Sequence, residues 1–336
     1  MDMDDNQHII TEGLLRAGLI AAGDGPVITP LAGGVSCDVF RVETPSGTLC
    51  AKRALPRLRV ATVWEAPTQR SHFEVEWLTV ARATGLNVPR VVAEWEDQHL
   101  FFMEWFPPAD NPVWKAELAA GRIDPAFAAS VGHAIAAIHS ATQGDPEIAA
   151  RFATDDLFAA LRIEPYLIHT ARAHPDLAAI IEGIAATTQA THAALVHGDV
   201  SPKNILCGRA GPVLIDAECA WYGDPAFDLA FCATHLLLKG VWHPQWEPQT
   251  AAAFEALHGA YLDTVTPALR GGIEARAIAL LAAILLARID GRSPVEYLTA
   301  EADRDRVRRA ARQLLQDPPP TLTAFGARWR QLTGQL

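Results

Sequence analysis

Apolar positions along the chain change period once, and that change divides it into two stretches. Near the start, Ile9, Ile10, Leu14, Leu15, Ala17, Leu19 and Ile20 recur at mixed helical spacing. This predicts a short amphipathic helix over 6–22, ended by Gly23 and Gly25. From Val27 the texture turns β-branched and alternating, so VITPL, DVFRVET and TLCAKRAL read as three strands, with Gly33-Gly34 and Pro45-Ser46-Gly47 as the turns between them. After a proline-punctuated loop, 71–84 reads as a helix carrying Phe73, Trp77, Leu78 and Ala81 on one face. PRVVAEWE and LFFMEWF complete a small sheet.

From Phe106 onward, alanine-rich segments at about 126–140, 155–172, 175–193, 249–265 and 271–289 carry apolar stripes at the helical period. A strand-like interruption, ALVHGD, NILC and PVLIDAE, lies between the third and fourth. The expected class is α+β: a small antiparallel sheet lobe over 1–104, then a larger, mainly helical lobe over 105–336.

Composition narrows the function classes. Half of the 336 residues are apolar and a fifth are charged, as in an ordinary globular protein. The net charge of -11, with only short arginine-rich patches, argues against nucleic acid as a partner. An acidic balance can favour cationic substrates. The five cysteines are scattered, without a C-x-x-C pair, so neither a disulfide framework nor a zinc site is expected. The first ten residues are acidic where a secretory signal would be basic. The most apolar run, 277–287, is shorter than the ~20 residues that span a bilayer. A cytoplasmic protein with no membrane partner is the expectation.

The strongest local signal is His197-Gly198-Asp199-Val200-Ser201-Pro202-Lys203-Asn204, followed by Ile215-Asp216-Ala217-Glu218. Phosphoryl transfer needs a carboxylate that accepts the hydroxyl proton and aims the attacking oxygen. It also needs oxygen ligands for a magnesium ion whose charge offsets that of the phosphates. Asp199 and Asn204 have the spacing of a base and a metal ligand in a kinase catalytic loop, and Asp216 follows an apolar strand where a second metal carboxylate belongs. Each alone has a plainer reading as a turn or cap residue; their order carries the signal. His197 is read as a brace for the loop, and Asp228 as an acceptor of hydrogen bonds from its backbone. Lys203 is either a contact for the transferring phosphate or a solvated loop lysine.

Upstream, Gly33 and Gly34 would let backbone N–H groups approach phosphate oxygens, and Ser36 would add a hydroxyl. A Gly-Gly hairpin is by itself weak evidence. Lys52, on the next strand, is the candidate for the α- and β-phosphates. Glu74 is favoured as its helix partner, with Glu76 in reserve because i and i+2 face apart. Met103, Glu104 and Phe106 close the last strand and are the candidate adenine hinge, with a core role equally open for Met103. Trp242, His243 and Trp246 are candidates for an acceptor pocket or for plain packing. Arg288, Asp290 and Arg292 either face the acceptor or form the polar end of a buried helix.

These motifs resemble the aminoglycoside phosphotransferase and choline kinase-like superfamily of small-molecule kinases, whose HGD-x-x-x-x-N and IDxE signatures match His197 to Asn204 and Ile215 to Glu218. Within it, Lys52-Arg53-Ala54-Leu55-Pro56, Arg70 with Phe73-Glu74, and the block from Ile215 to Gly223 are similar to methylthioribose kinases. The likeness covers most of 27–240. It implies a bilobal protein-kinase-like fold, ATP and Mg2+ bound between the lobes, Asp199 as base, Asn204, Asp216 and Glu218 at the metal, and a small-molecule alcohol as acceptor. Two features depart from the methylthioribose kinases: the apolar run 278–286 stands where those enzymes carry a substrate-gripping arginine pair, and Asn204 is more like the antibiotic kinases. A protein kinase would need an activation segment, for which the short passage from Asp216 to Pro225 leaves no room. A nucleotide-binding pseudoenzyme is disfavoured by the full set of expected catalytic groups.

Overall fold

In the computed structural model, which describes residues 3–31, 36–55 and 67–334, the alternating stretch forms an antiparallel sheet. Its strands are β1 (Val27–Pro30), β2 (Cys37–Thr44), β3 (Gly47–Ala54), β4 (Val91–Trp95) and β5 (Leu100–Glu104), in the order β1-β2-β3-β5-β4. Phe40, Val42, Ala51, Leu100 and Phe102 share one face of the sheet. They pack with Ile10 and Leu14 of helix α1 (Met3–Arg16). On β3 the period of two sends Lys52 to the opposite face, towards helix α2 (Arg70–Ala83). Helix α1 is shorter than its apolar spacing predicts, because Gly18 adopts a left-handed conformation (φ 66°). Leu19 N–H then reaches Leu14 O at 2.9 Å and Gly18 N–H reaches Leu15 O at 3.1 Å, closing the helix one turn early.

These elements belong to the first of two units, Met1–Asp110 and Asn111–Leu336. The second unit opens with α3 (Trp114–Ala119), α4 (Pro125–Ala141), α5 (Pro146–Arg151) and α6 (Asp155–Phe158). Asp124 caps α4 through Ala126 N–H (2.9 Å), with Pro125 in the first turn. From α6 the chain winds as a π-helix through Ala159–Ile168, which contains Pro165, into α7 (His169–Ala173) and then α8 (Ala178–Ala190). The predicted single helix over 155–172 is therefore one continuous coil with a widened middle. Two short antiparallel pairs follow: β6 (Ala194–Val196) with β9 (Trp221–Gly223), and β7 (Ile205–Gly208) with β8 (Gly211–Leu214).

The remaining helices are α9 (Ala226–Trp242), α10 (Glu247–Thr264), α11 (Pro267–Asp290), α12 (Glu301–Gln316) and α13 (Leu322–Thr333). Helix α9 is buried along almost its whole length, with α4, α10 and α11 packed around it. Gly132 lets α4 approach α10 closely, since a Cβ there would lie 2.2 Å from Leu257 O. Helix α11 carries a break at Gly271-Gly272, beyond which the run 277–287 is buried apart from partly exposed Ala279. Among the described residues, no helix is long and apolar enough to cross a membrane.

Candidate active site

In the first unit, Lys52 Nζ lies 2.5 Å from Glu74 Oε2, and both side chains are buried. Glu74, not Glu76, is thus the partner of the β3 lysine. Fully buried Arg70 donates to the carbonyls of Ser36, Leu55 (2.7 Å) and Pro67 (3.0 Å), tying three stretches of the preceding chain to the helix start. Its role is to hold backbone, and Ser36 is fixed by the same bonds. Met103 is buried in register with Cys50 and Val91. The Glu104 carboxylate accepts from Arg90 N–H at 3.3 Å, and Phe106 lies just past β5. Gly33 and Gly34 lie outside the described residues.

In the second unit, the segment between β6 and β7 is built around one buried carboxylate. Asp228, in the first turn of α9, accepts from His197 N–H (2.8 Å, Oδ2) and Gly198 N–H (2.8 Å, Oδ1). Its Oδ2 also meets His139 Nε2 at 3.2 Å, and His139 Nδ1 meets the Tyr261 hydroxyl at 2.9 Å. Helices α4, α9 and α10 thereby fix the loop. His197 Nδ1 accepts from Asp199 N–H (3.2 Å), so Nε2 carries the proton given to Ile215 O (3.1 Å). Burial holds its pKa below the ordinary imidazole value, which suits this neutral bracing role. Gly198 has φ 77°, and a Cβ there would lie 2.4 Å from Cys219 O, so only glycine fits.

Asp199 is 4% exposed. Arg162 Nη2 lies 3.1 Å and Lys203 Nζ 3.0 Å from the same atom, Oδ2, which leaves Oδ1 for a further partner. Arg162 comes from the π-wound segment and also donates through Nε to Gly198 O. Burial would raise the Asp199 pKa, but the charges of Lys203 and Arg162 outweigh it and hold the carboxyl below its usual range. Asp199 is therefore an anion at neutral pH.

Sequence reasoning missed Arg162. Its signal is a single arginine inside the apolar run LFAALRIEPYLI, because a buried arginine almost always has a specific partner.

Backbone pairing brings the proposed metal ligands to one end of the β7–β8 hairpin. Ile205 is opposite Leu214, and Ile215 N–H donates to Asn204 O at 3.0 Å. Asn204 Nδ2 donates to Asp199 O (3.1 Å), which turns its Oδ1 away as a free acceptor. Asp216 takes a left-handed conformation (φ 68°) rare for a residue with a side chain, the kind of strain found where function fixes geometry. Glu218 is buried two residues further on. Among the described residues, no three His, Cys, Asp or Glu side chains form a metal cage. One amide and one or two carboxylate oxygens suit magnesium, which keeps water and phosphate oxygens in its shell.

Of the other candidates, Asp290 pairs with Arg308 (2.7 and 2.9 Å) and His174 (2.9 Å), and Arg292 N–H donates to Pro165 O (3.0 Å). Trp242, His243 and Trp246 pack against one another as tilted rings, with centroids 4.1 and 3.9 Å apart around His243.

The fold is protein-kinase-like. Choline kinase from Cryptosporidium parvum Iowa II superposes with a TM-score of 0.57 at 11% identity, covering 97% of this chain and all of that one. Amicoumacin kinase, solved with AMP-PNP, Ca2+ and amicoumacin, gives 0.54 at 16% identity, covering 98% and 97%. The chain belongs to the phosphotransferase enzyme family, whose model matches residues 27–259. It is also similar to methylthioribose kinase of Pectobacterium carotovorum subsp. carotovorum (strain PC1), at 27% identity over an alignment of 233 positions that covers 60% of this chain. The match spans 57% of that relative's length.

Proposed function

We propose that the protein transfers the γ-phosphoryl group of ATP to a hydroxyl of a small molecule. The observation that carries this reading is the Asp199 carboxylate, held as an anion by two cations on one oxygen and leaving the other to receive an acceptor hydroxyl. Lys52, kept straight by Glu74, is the cation for the donor's phosphates. Asn204 and Asp216, with Glu218 behind them, would hold Mg2+, which when bound offsets charge on the transferring group.

In a loose phosphoryl-transfer transition state the base orients more than it abstracts, so a low pKa at Asp199 is no handicap. Arg162 and Lys203 offset the charge of Asp199, which otherwise repels the incoming phosphates. Lys203, with half of its side chain exposed, is also free to follow charge onto the phosphoryl oxygens. Ligand-linked stability tests the donor half of the proposal. ATP with magnesium should raise the unfolding temperature of the wild type, and Asp216→Asn or Lys52→Met should remove most of that rise. An equal rise without magnesium, or in both variants, would contradict the assignment.

A further inference from the structure

Helix α9 carries Lys239, three turns beyond Asp228, in an environment where its partners are aromatic rings and not a carboxylate. Lys239 is 2% exposed. Its Nζ rests 3.7 Å from the Tyr297 ring centroid and 4.1 Å from that of Trp242, and among the described residues it makes no ion pair. Arg288, in the last turn of α11, is 91% buried. Its Nη1 donates to Ser293 O (2.6 Å), Ser293 Oγ (3.2 Å) and Tyr166 Oη (3.3 Å), while its Nε has no hydrogen-bond partner. The Tyr297 hydroxyl, also buried, has none either. Glu296, the neighbouring carboxylate, is taken by Lys115 at 2.5 Å.

Two buried cations, with Glu296 as their one nearby carboxylate and that carboxylate already paired with Lys115, and a buried hydroxyl without a partner form a costly arrangement that calls for a further partner. The cluster also lies close to the chemistry. Arg288 and Arg162 sit against the same Tyr166 ring, 5.8 and 5.9 Å from its centroid, so one aromatic ring separates Arg288 from the arginine that holds Asp199. Ser201, two residues after Asp199, adds another buried hydroxyl lacking a partner.

We infer that the acceptor carries an anionic oxygen group, a carboxylate or a phosphate ester, received by Arg288 and Lys239 with the Tyr297 hydroxyl donating to it, while its own hydroxyl group reaches Asp199. This deepens the phosphotransferase reading and rests on it. It reverses what the net charge suggests, since a cationic alcohol would meet two buried cations against one carboxylate that is already paired. The local field agrees: burial, then Arg288, Lys239, Lys203 and Lys115, hold partly buried His235 well below the ordinary imidazole pKa.

The test uses the full chain with ATP and magnesium against matched acceptors of three to six carbons: hydroxy and aldonic acids, sugar phosphates, the corresponding neutral polyols, and amino alcohols. An anionic member should be phosphorylated with at least tenfold higher kcat/KM than its neutral counterpart. Comparing the acid and phosphate arms then identifies the group. Arg288→Gln and Lys239→Met should each raise KM for that acceptor tenfold or more, with Arg288→Lys recovering part of the loss and stabilisation by Mg2+ and ATP unchanged. If no anionic member outperforms its neutral counterpart, or if KM is unmoved in both folded variants, the inference falls. Transfer to a neutral or cationic alcohol instead would leave the phosphotransferase reading standing. Absence of both ATP stabilisation and transfer to any alcohol would remove that reading itself.

Discussion

Arg162 and Lys203 meet at one oxygen of Asp199, and they are not equivalent. The arginine fork spans Asp199 and Gly198 O together, while the lysine is a single mobile charge. Arg162→Gln should therefore lower kcat by roughly 10- to 100-fold while leaving KM for ATP nearly unchanged, the scale of a slightly misplaced reacting group. Arg162→Lys should recover only part of the loss; full kcat in the glutamine variant would reduce Arg162 to packing.

Lys239 gives a pH signature. Burial, assisted by Lys115 and opposed by Glu296, lowers its pKa to about 8. As pH rises through that value the ammonium loses its charge, so KM for an anionic acceptor should climb above pH 8. Its folded pKa lies below the unfolded one, so this residue's contribution to stability grows over the same range and does not fall. A flat KM from pH 7 to 9, in a protein of unchanged fold, would contradict the assigned charge. Lys239, Arg288 and Arg162 were not legible as a set in the sequence, because they converge from separate helices. Asp199, Asn204 and Asp216 were, since a short loop and hairpin bring them together.

At the scale of elements, the loop between β6 and β7 owes its shape to the start of α9. The Asp228 carboxylate receives two loop N–H groups and anchors them to His139 and Tyr261 on α4 and α10. Hydrogen bonds to a charged group contribute about 1.5–3 kcal/mol each. Asp228→Asn should thus cost at least about 2 kcal/mol, seen as a lower unfolding midpoint in denaturant together with loss of turnover. An unaltered midpoint would show that the loop is held elsewhere. Gly198→Ala should be as damaging, because its left-handed backbone and the contact with Cys219 O leave no room for a methyl. Strands of the first unit were readable from alternation, since one sheet face packs on α1. Periodicity could not foresee β9, three residues long, or the π-winding over Ala159–Ile168, because both depend on partners distant in sequence.

Across the whole molecule, the net charge of -11 does not decide the acceptor, for the potential at a buried site is set by its few nearest groups. Membership of the phosphotransferase enzyme family and the protein-kinase-like fold fix the chemistry to be tested more firmly than the acceptor. Donor binding should appear as about 2.7 kcal/mol of added stability when ATP stands at a hundred times its Kd. The most direct measurement is transfer of labelled γ-phosphate from ATP to the best acceptor by wild type and Asp199→Asn at matched ATP saturation. The variant should bind ATP and magnesium normally and transfer phosphate at least about 100-fold more slowly. Equal transfer rates in the two proteins would contradict the central claim that Asp199 aims the acceptor hydroxyl.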